Sequence, residues 1–149
     1  MAMAKICSMC ESDTVYSNAA KYCMCCKISA YKYGQLQYNS SSGYGRNEDV
    51  KIEISKVEFC KWRKSVEQIC HYCEIPENHL RGSGFKSQIQ KPLDWIGVDR
   101  IDSNLGYFES NLVPCCFVCN QIKGNRFSEL EMRFIGQSIK RIWQRRIGI

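Results

Sequence analysis

Residues 97–125 read GVDRIDSNLGYFESNLVPCCFVCNQIKGN, and three local patterns follow one another along that stretch. The run DWIGVDRI, beginning at Asp94, crowds Trp95, Ile96, Val98 and Ile101 around the single Gly97, the signature of a short strand. SNLGY supplies a turn. VPCCFVCNQIKGN then leads into a short helix that Gly124 and Asn125 would end. The order is strand, loop, short helix. Inside it lies Cys116-x-x-Cys119, with Cys115 as a spare neighbour, and upstream stands a second knuckle, Cys70-x-x-Cys73. Zn²⁺ takes four tetrahedral thiolate or imidazole ligands, and each knuckle brings two sulfurs to one ion through a tight turn. The two knuckles together would close residues 74–115 into a loop. A unit this short has a small core of its own and gains from such a staple.

The chain has 11 cysteines, an odd number that does not suit a disulfide framework. Metal ligation accounts for them better. Cys7-x-x-Cys10 and Cys23-Met-Cys25-Cys26 form a second set, for which Cys7, Cys10, Cys23 and Cys26 are the chosen ligands and Cys25 is the alternative to Cys23 or Cys26. Two structural zinc ions are therefore expected, and four-cysteine sites leave no open coordination position for chemistry. The start MAMAKICSMC has no apolar h-region or small-residue cleavage site, so a reducing cytoplasm is the expected location. No apolar run approaches the roughly 18–20 residues of a membrane span, and a membrane protein is not expected. At 44% hydrophobic and 24% charged, the composition is that of a globular chain rather than a disordered one.

The organisation along the 149 residues follows from these sets. Residues 1–38 read as a zinc-ribbon-like unit with room for a short hairpin between Cys10 and Cys23. Residues 39–49, which contain NSSSGYGRN, read as a linker. Residues 50–127 form the core, opening with an alternating VKIEI strand at Val50, Ile52 and Ile54. Ser55 and Glu58 then make a capping box for a helix over about 56–69, with Phe59, Trp62, Val66 and Ile69 at helical spacing and Cys60 in its core. Residues 128–149 predict a last helix, begun by a capping box of Ser128 and Glu131. Met132, Ile135, Ile139, Ile142 and Trp143 share one face of it.

Charge is concentrated at that end. Residues 120–149 hold seven basic side chains, Lys123, Arg126, Arg133, Lys140, Arg141, Arg145 and Arg146, against Glu129 and Glu131, which makes +5 of the net +6. A basic segment of this kind suits a polyanion, and a solvated helix face is the plainer alternative. Arg141 and Arg145 are the candidate phosphate contacts on the helix.

The 97–125 stretch and its enclosing knuckles resemble the HNH endonucleases, the ββα-metal or His-Me finger nucleases. Their pattern is an Asp-His pair, a central Asn and a final His or Asn on a helix, often between two C-x-x-C knuckles. Asp99-Arg100 matches the first element, Asn111 the second and Asn120 the third. The likeness covers residues 70–124, and the preceding helix and N-terminal zinc ribbon resemble those of phage-type members, which points to a phage or mobile-element origin. The resemblance implies an α+β fold with a zinc-stapled ββα-metal core, flanking helices and a small N-terminal zinc ribbon. It implies hydrolysis of DNA phosphodiesters with one catalytic Mg²⁺ or Mn²⁺ held by the hard oxygens of Asp99 and Asn120. Asn111 would hold the loop through backbone hydrogen bonds, and Lys123, one turn after Asn120, would contact a phosphate.

The departure is Arg100, at the position of the histidine that activates water in most members. Arginine stays protonated and accepts no proton. The base is then Asp102, His79, His71 or a metal-bound hydroxide, with Arg100 clamping the phosphate. Two other functions compete with the nuclease. One is a nucleic-acid-binding module that kept the scaffold and lost the base; the other is a zinc-organised protein-interaction adaptor.

Overall fold

The computed structural model describes residues 5–11, 15, 17, 20–41 and 50–149. It forms two compact units, Met1–Val66 with Tyr107–Glu109, and Glu67–Gly106 with Ser110–Ile149. Residues 12–14, 16, 18 and 19 of the hairpin expected between Cys10 and Cys23, and residues 42–49 of the expected linker, lie outside the described residues.

In the first unit, helix α1 (Met24–Ser41) extends through the first residues assigned to the linker. Its buried positions Cys26, Ser29, Tyr33 and Leu36 recur at helical spacing. Helix α2 (Lys56–Ser65) starts as expected: Ser55 accepts from the Glu58 amide and Glu58 accepts from the Ser55 amide. The Tyr33 and Phe59 rings lie 5.7 Å apart and join α1 to α2, and the Tyr33 hydroxyl donates to the Ile54 carbonyl at 2.8 Å. Helix α2 ends four residues earlier than the spacing predicts. Val66 is extended, and Ile69 pairs antiparallel with Pro76 because the chain must enter the Cys70 knuckle with its backbone straightened. VKIEI is likewise not a full strand. Ile52 forms a single parallel bridge to Tyr107, with the Glu53 amide donating to the Tyr107 carbonyl and the Tyr107 amide to that of Lys51, both at 2.8 Å.

The second unit is built on a hairpin and two helices. Strands β1 (Gly97–Arg100) and β2 (Leu112–Cys115) pair antiparallel, with Gly97 opposite Cys115, Asp99 opposite Val113 and Arg100 opposite Leu112. The strand is shorter than DWIGVDRI: Trp95 is exposed and Ile96 turns into the core. Helix α3 (Phe117–Lys123) follows directly and is closed by Gly124. Helix α4 (Glu129–Ile147) begins with the Ser128/Glu131 capping box read from the sequence. It buries Met132, Ile139 and Trp143 against Tyr72, Ile75, Leu80 and Ile96, while Ile142 stays largely exposed. The Trp143 indole donates to the Cys73 carbonyl at 2.9 Å, tying α4 to the knuckle. Gly136 permits this approach, because a Cβ there would stand 2.3 Å from the Tyr72 carbonyl oxygen. No helix among the described residues is long and apolar enough to cross a membrane.

Candidate metal centres and active site

The eight chosen cysteines form two closed clusters, each with its sulfurs within 4.8 Å of one another and every residue buried: Cys7, Cys10, Cys23 and Cys26 in the first unit, Cys70, Cys73, Cys116 and Cys119 in the second. A tetrahedral ion with Zn–S bonds of about 2.3 Å places its sulfurs about 3.8 Å apart. The Cys10–Cys23 and Cys73–Cys116 separations are 3.9 and 3.8 Å. The arrangement thus fits zinc in both places. Backbone amides support the sulfurs: Cys26 donates to Cys23 Sγ and Cys119 to Cys116 Sγ, each at 3.5 Å. Cys116 is at once a member of the cluster and the N-cap of α3, so the cluster sets where that helix starts. Cys25, Cys60 and Cys115 are left over. Burial pushes the thiols of Cys60 and Cys115 up, which keeps them protonated beside the clusters.

Above the second cluster, α3 presents two side chains to the hairpin. Asn120 Nδ2 donates to the Val98 carbonyl at 3.3 Å, and Lys123 Nζ to the Arg100 carbonyl, two residues further along β1, at 2.7 Å. Asp99 on β1 is buried and receives two bonds on the same oxygen, Oδ2: the Tyr72 hydroxyl at 2.8 Å and the Lys123 ammonium at 2.9 Å. Among the described residues no side chain or amide donates to Oδ1. Burial, followed by the charge of Asp99, raises the Tyr72 phenol well above its ordinary value, so Tyr72 stays a donor.

Asn111 sits where a loop-holding residue was expected. Its Oδ1 accepts from the Asp102 amide at 2.9 Å, and its Nδ2 donates to the carbonyls of Asp102 and Gly106 at 3.1 and 2.9 Å. Asp102 is exposed, and its Oδ1 accepts from the Asn104 amide at 2.8 Å, closing an Asx turn. Arg100 is buried and donates from one nitrogen to the Ser103 and Leu105 carbonyls at 2.9 and 2.7 Å. That guanidinium braces the 101–106 loop from inside. The two candidate histidines lie elsewhere, and Nδ1 of His79 is buried with no hydrogen-bond partner among the described residues. His71 Nε2 lies 2.7 Å from Glu129, whose carboxyl His71 and then Arg133 hold below its usual range, and the His79 ring stands 6.2 Å from that of Trp143.

Lys123, expected to contact a phosphate, is instead fully buried, because α3 packs its whole stem beneath strand β1. The basic tail also divides. Arg133, Lys140 and Arg146 are engaged by Glu129, Glu74 and the Ser83 carbonyl, and Arg126 by carbonyls of α3, whereas Arg141 and Arg145 lie exposed one turn apart on α4. Tyr72 and Ser103 are site neighbours that the sequence reading missed. A tyrosine between two knuckle cysteines was a visible oddity, but its spacing alone does not say which carboxylate it meets.

Two antiparallel strands followed at once by a helix, with Asp99 on the first strand, Asn120 on the helix and a four-cysteine cluster beneath, are the ββα-metal core. The chain has the HNH endonuclease fold. Among solved structures it is similar to the rare-cutting HNH restriction endonuclease PacI, an enzyme that exhibits a mechanism of DNA perturbation, with 29% identity and a TM-score of 0.70 over 97% of this chain and 98% of that one. Among curated proteins, the uncharacterized protein R423 of Acanthamoeba polyphaga mimivirus is 34% identical over 96 residues, 59% of this chain. The chain spans only 15% of that relative. No protein-family profile matches the sequence.

Proposed function

We propose that this protein is a metal-dependent DNA endonuclease that hydrolyses phosphodiester bonds with a single Mg²⁺ or Mn²⁺. The observation that carries the reading is the similarity to an HNH restriction endonuclease over nearly the whole of both chains. The donor set fits a hard divalent ion: Asp99 keeps Oδ1 for a ligand, and Asn120, anchored through Nδ2, keeps its amide oxygen. Bound there, the ion supplies positive charge to the scissile phosphate and its leaving oxygen.

The protein's own residues do the rest. Asn111 and Arg100 hold the 101–106 loop rigid from its two sides. Asp102, the exposed carboxylate on that loop, takes the proton of the attacking water as its oxygen bonds to phosphorus and one P–O ester bond breaks. Arg100 keeps its permanent positive charge inside that loop, at the Ser103 and Leu105 carbonyls. Arg141 and Arg145 meet phosphates of the duplex and hold it on α4. Unpaired thiols at Cys25, Cys60 and Cys115 suit a reducing cytoplasm.

A second reading, a DNA-binding module without catalysis, draws support from Arg100 at the histidine position. Incubation of supercoiled plasmid with Mg²⁺ or Mn²⁺, beside a gel shift in chelator, separates the two. Nicking or linearisation that chelator abolishes supports the enzyme; a shift without cutting in either metal leaves the binding module.

A further inference from the structure

Lys123 is the fully buried cation of the site, and its ammonium has three N–H groups to satisfy. It has three acceptors: Asp99 Oδ2 at 2.9 Å, the Arg100 carbonyl at 2.7 Å and Ser103 Oγ at 3.2 Å. Nothing remains for a phosphate. Stability alone does not explain such a pair, since a buried ion pair replaced by well-packed apolar groups often costs a protein nothing. What the pair does is geometric. Together with the Tyr72 hydroxyl, 2.8 Å from the same oxygen, Lys123 fixes the plane of the Asp99 carboxylate through Oδ2 and leaves its other oxygen without a donor among the described residues.

We propose that Lys123 is a positioning residue for the divalent ion: with Tyr72 it holds Asp99 so that Oδ1 is presented as a preset metal ligand, and it ties that ligand to the 101–106 loop through Arg100 and Ser103. The inference rests on the proposed role of Asp99 in holding the ion. Outer partners that orient a ligating carboxylate are typically worth about 10–100-fold in metal affinity.

The test is Mn²⁺ binding to the zinc-loaded full chain, followed by electron paramagnetic resonance, for wild type, Lys123→Met and Tyr72→Phe. Zinc content and circular dichroism report whether each variant is folded. Lys123→Met is expected to weaken Mn²⁺ binding about 10–100-fold, and Tyr72→Phe to weaken it less, while the salt dependence of plasmid binding in chelator stays that of wild type. The Mn²⁺ needed for half-maximal plasmid nicking rises in parallel, and added Mn²⁺ restores the rate. Tyr72→Phe removes one oxygen atom and keeps the shape, so it decides the matter if Lys123→Met does not fold. Unchanged Mn²⁺ affinity in the folded variants overturns the proposal, as does a log–log salt slope lowered by about 0.9 in Lys123→Met, the mark of a lost phosphate contact. Wild type that binds no Mn²⁺ overturns it too. Wild type that binds Mn²⁺ and cuts nothing defeats the nuclease reading while the affinity comparison still tests the role of Lys123.

Discussion

Asp99, Asn111 and Asn120 each meet a different demand, and the demands separate in mutants. Asn120 anchors by its amide nitrogen to the Val98 carbonyl, so its oxygen is the group available to a metal. Asn120→Ala is expected to abolish metal-dependent plasmid cleavage while a gel shift in chelator stays near wild type; loss of both together would make Asn120 a folding residue. Asn111 spends its whole amide on the loop backbone. Asp102 is the exposed acid of that loop, with one oxygen closing a turn. If it is the base, Asp102→Asn lowers the single-turnover cleavage rate on the order of 10² to 10⁴-fold, and His79→Ala, whose ring lies beside Trp143, does not. An unaltered rate in Asp102→Asn would remove it from the reaction. Arg100→His exchanges a loop brace for an imidazole. Restored basicity raises cleavage only if the loop survives the loss of the bonds to Ser103 and Leu105, which amide exchange of residues 101–106 would report.

At the scale of elements, helix α4 is held at two points along its buried face. Gly136 lets its backbone lie on Tyr72, and Trp143 reaches the Cys73 carbonyl. A methyl at 136 would meet backbone rather than a yielding side chain. Gly136→Ala is therefore expected to destabilise the fold by about 1–3 kcal/mol, despite alanine's better helix propensity, and urea unfolding of the zinc-loaded protein would measure it. A gain in stability would mean that α4 does not sit so close. Ser128→Ala, which removes the cap of the same helix, should cost about 1 kcal/mol. Helix α1 was the element least legible in the sequence: Cys26, Ser29, Tyr33 and Leu36 form its buried face, but a serine and a zinc-knuckle cysteine in that row hide the apolar period, and Tyr31 and Tyr38 are exposed among them.

For the molecule as a whole, zinc and charge are the quantities to measure. Elemental analysis should find about two Zn per chain, one for each four-ligand cluster. Replacing Cys73 or Cys119 should unfold the second unit, since ligand binding and folding of so small a core are coupled; a folded Cys119→Ser protein with one Zn would show that the second cluster is dispensable. Arg141 and Arg145 are the exposed pair of the basic tail. Changing both to Gln should lower the log–log salt slope of DNA binding by up to about 2, at roughly 0.9 per phosphate contact. A slope equal to wild type would return those charges to solvent.

The sequence by itself determined what depends on neighbours in the chain. Ligand pairs at C-x-x-C spacing, the capping boxes at Ser55 and Ser128, and the strand, turn and helix of residues 97–125 are local geometry, and local geometry is written in spacing. Those local patterns extend too far wherever they meet a tertiary demand, as at Val66, where the chain leaves the helix to enter the knuckle. Only the tertiary structure decided that Lys123 faces inward, that Tyr72 reaches Asp99, and that Arg141 and Arg145 stay exposed while Arg133, Lys140 and Arg146 are engaged. The reason is physical. A lysine one turn after Asn120 has the same helical spacing whether it ends in water or beneath a strand, and what separates the two is a carboxylate 24 positions earlier in the chain, brought to 2.9 Å by a hairpin closing on a helix.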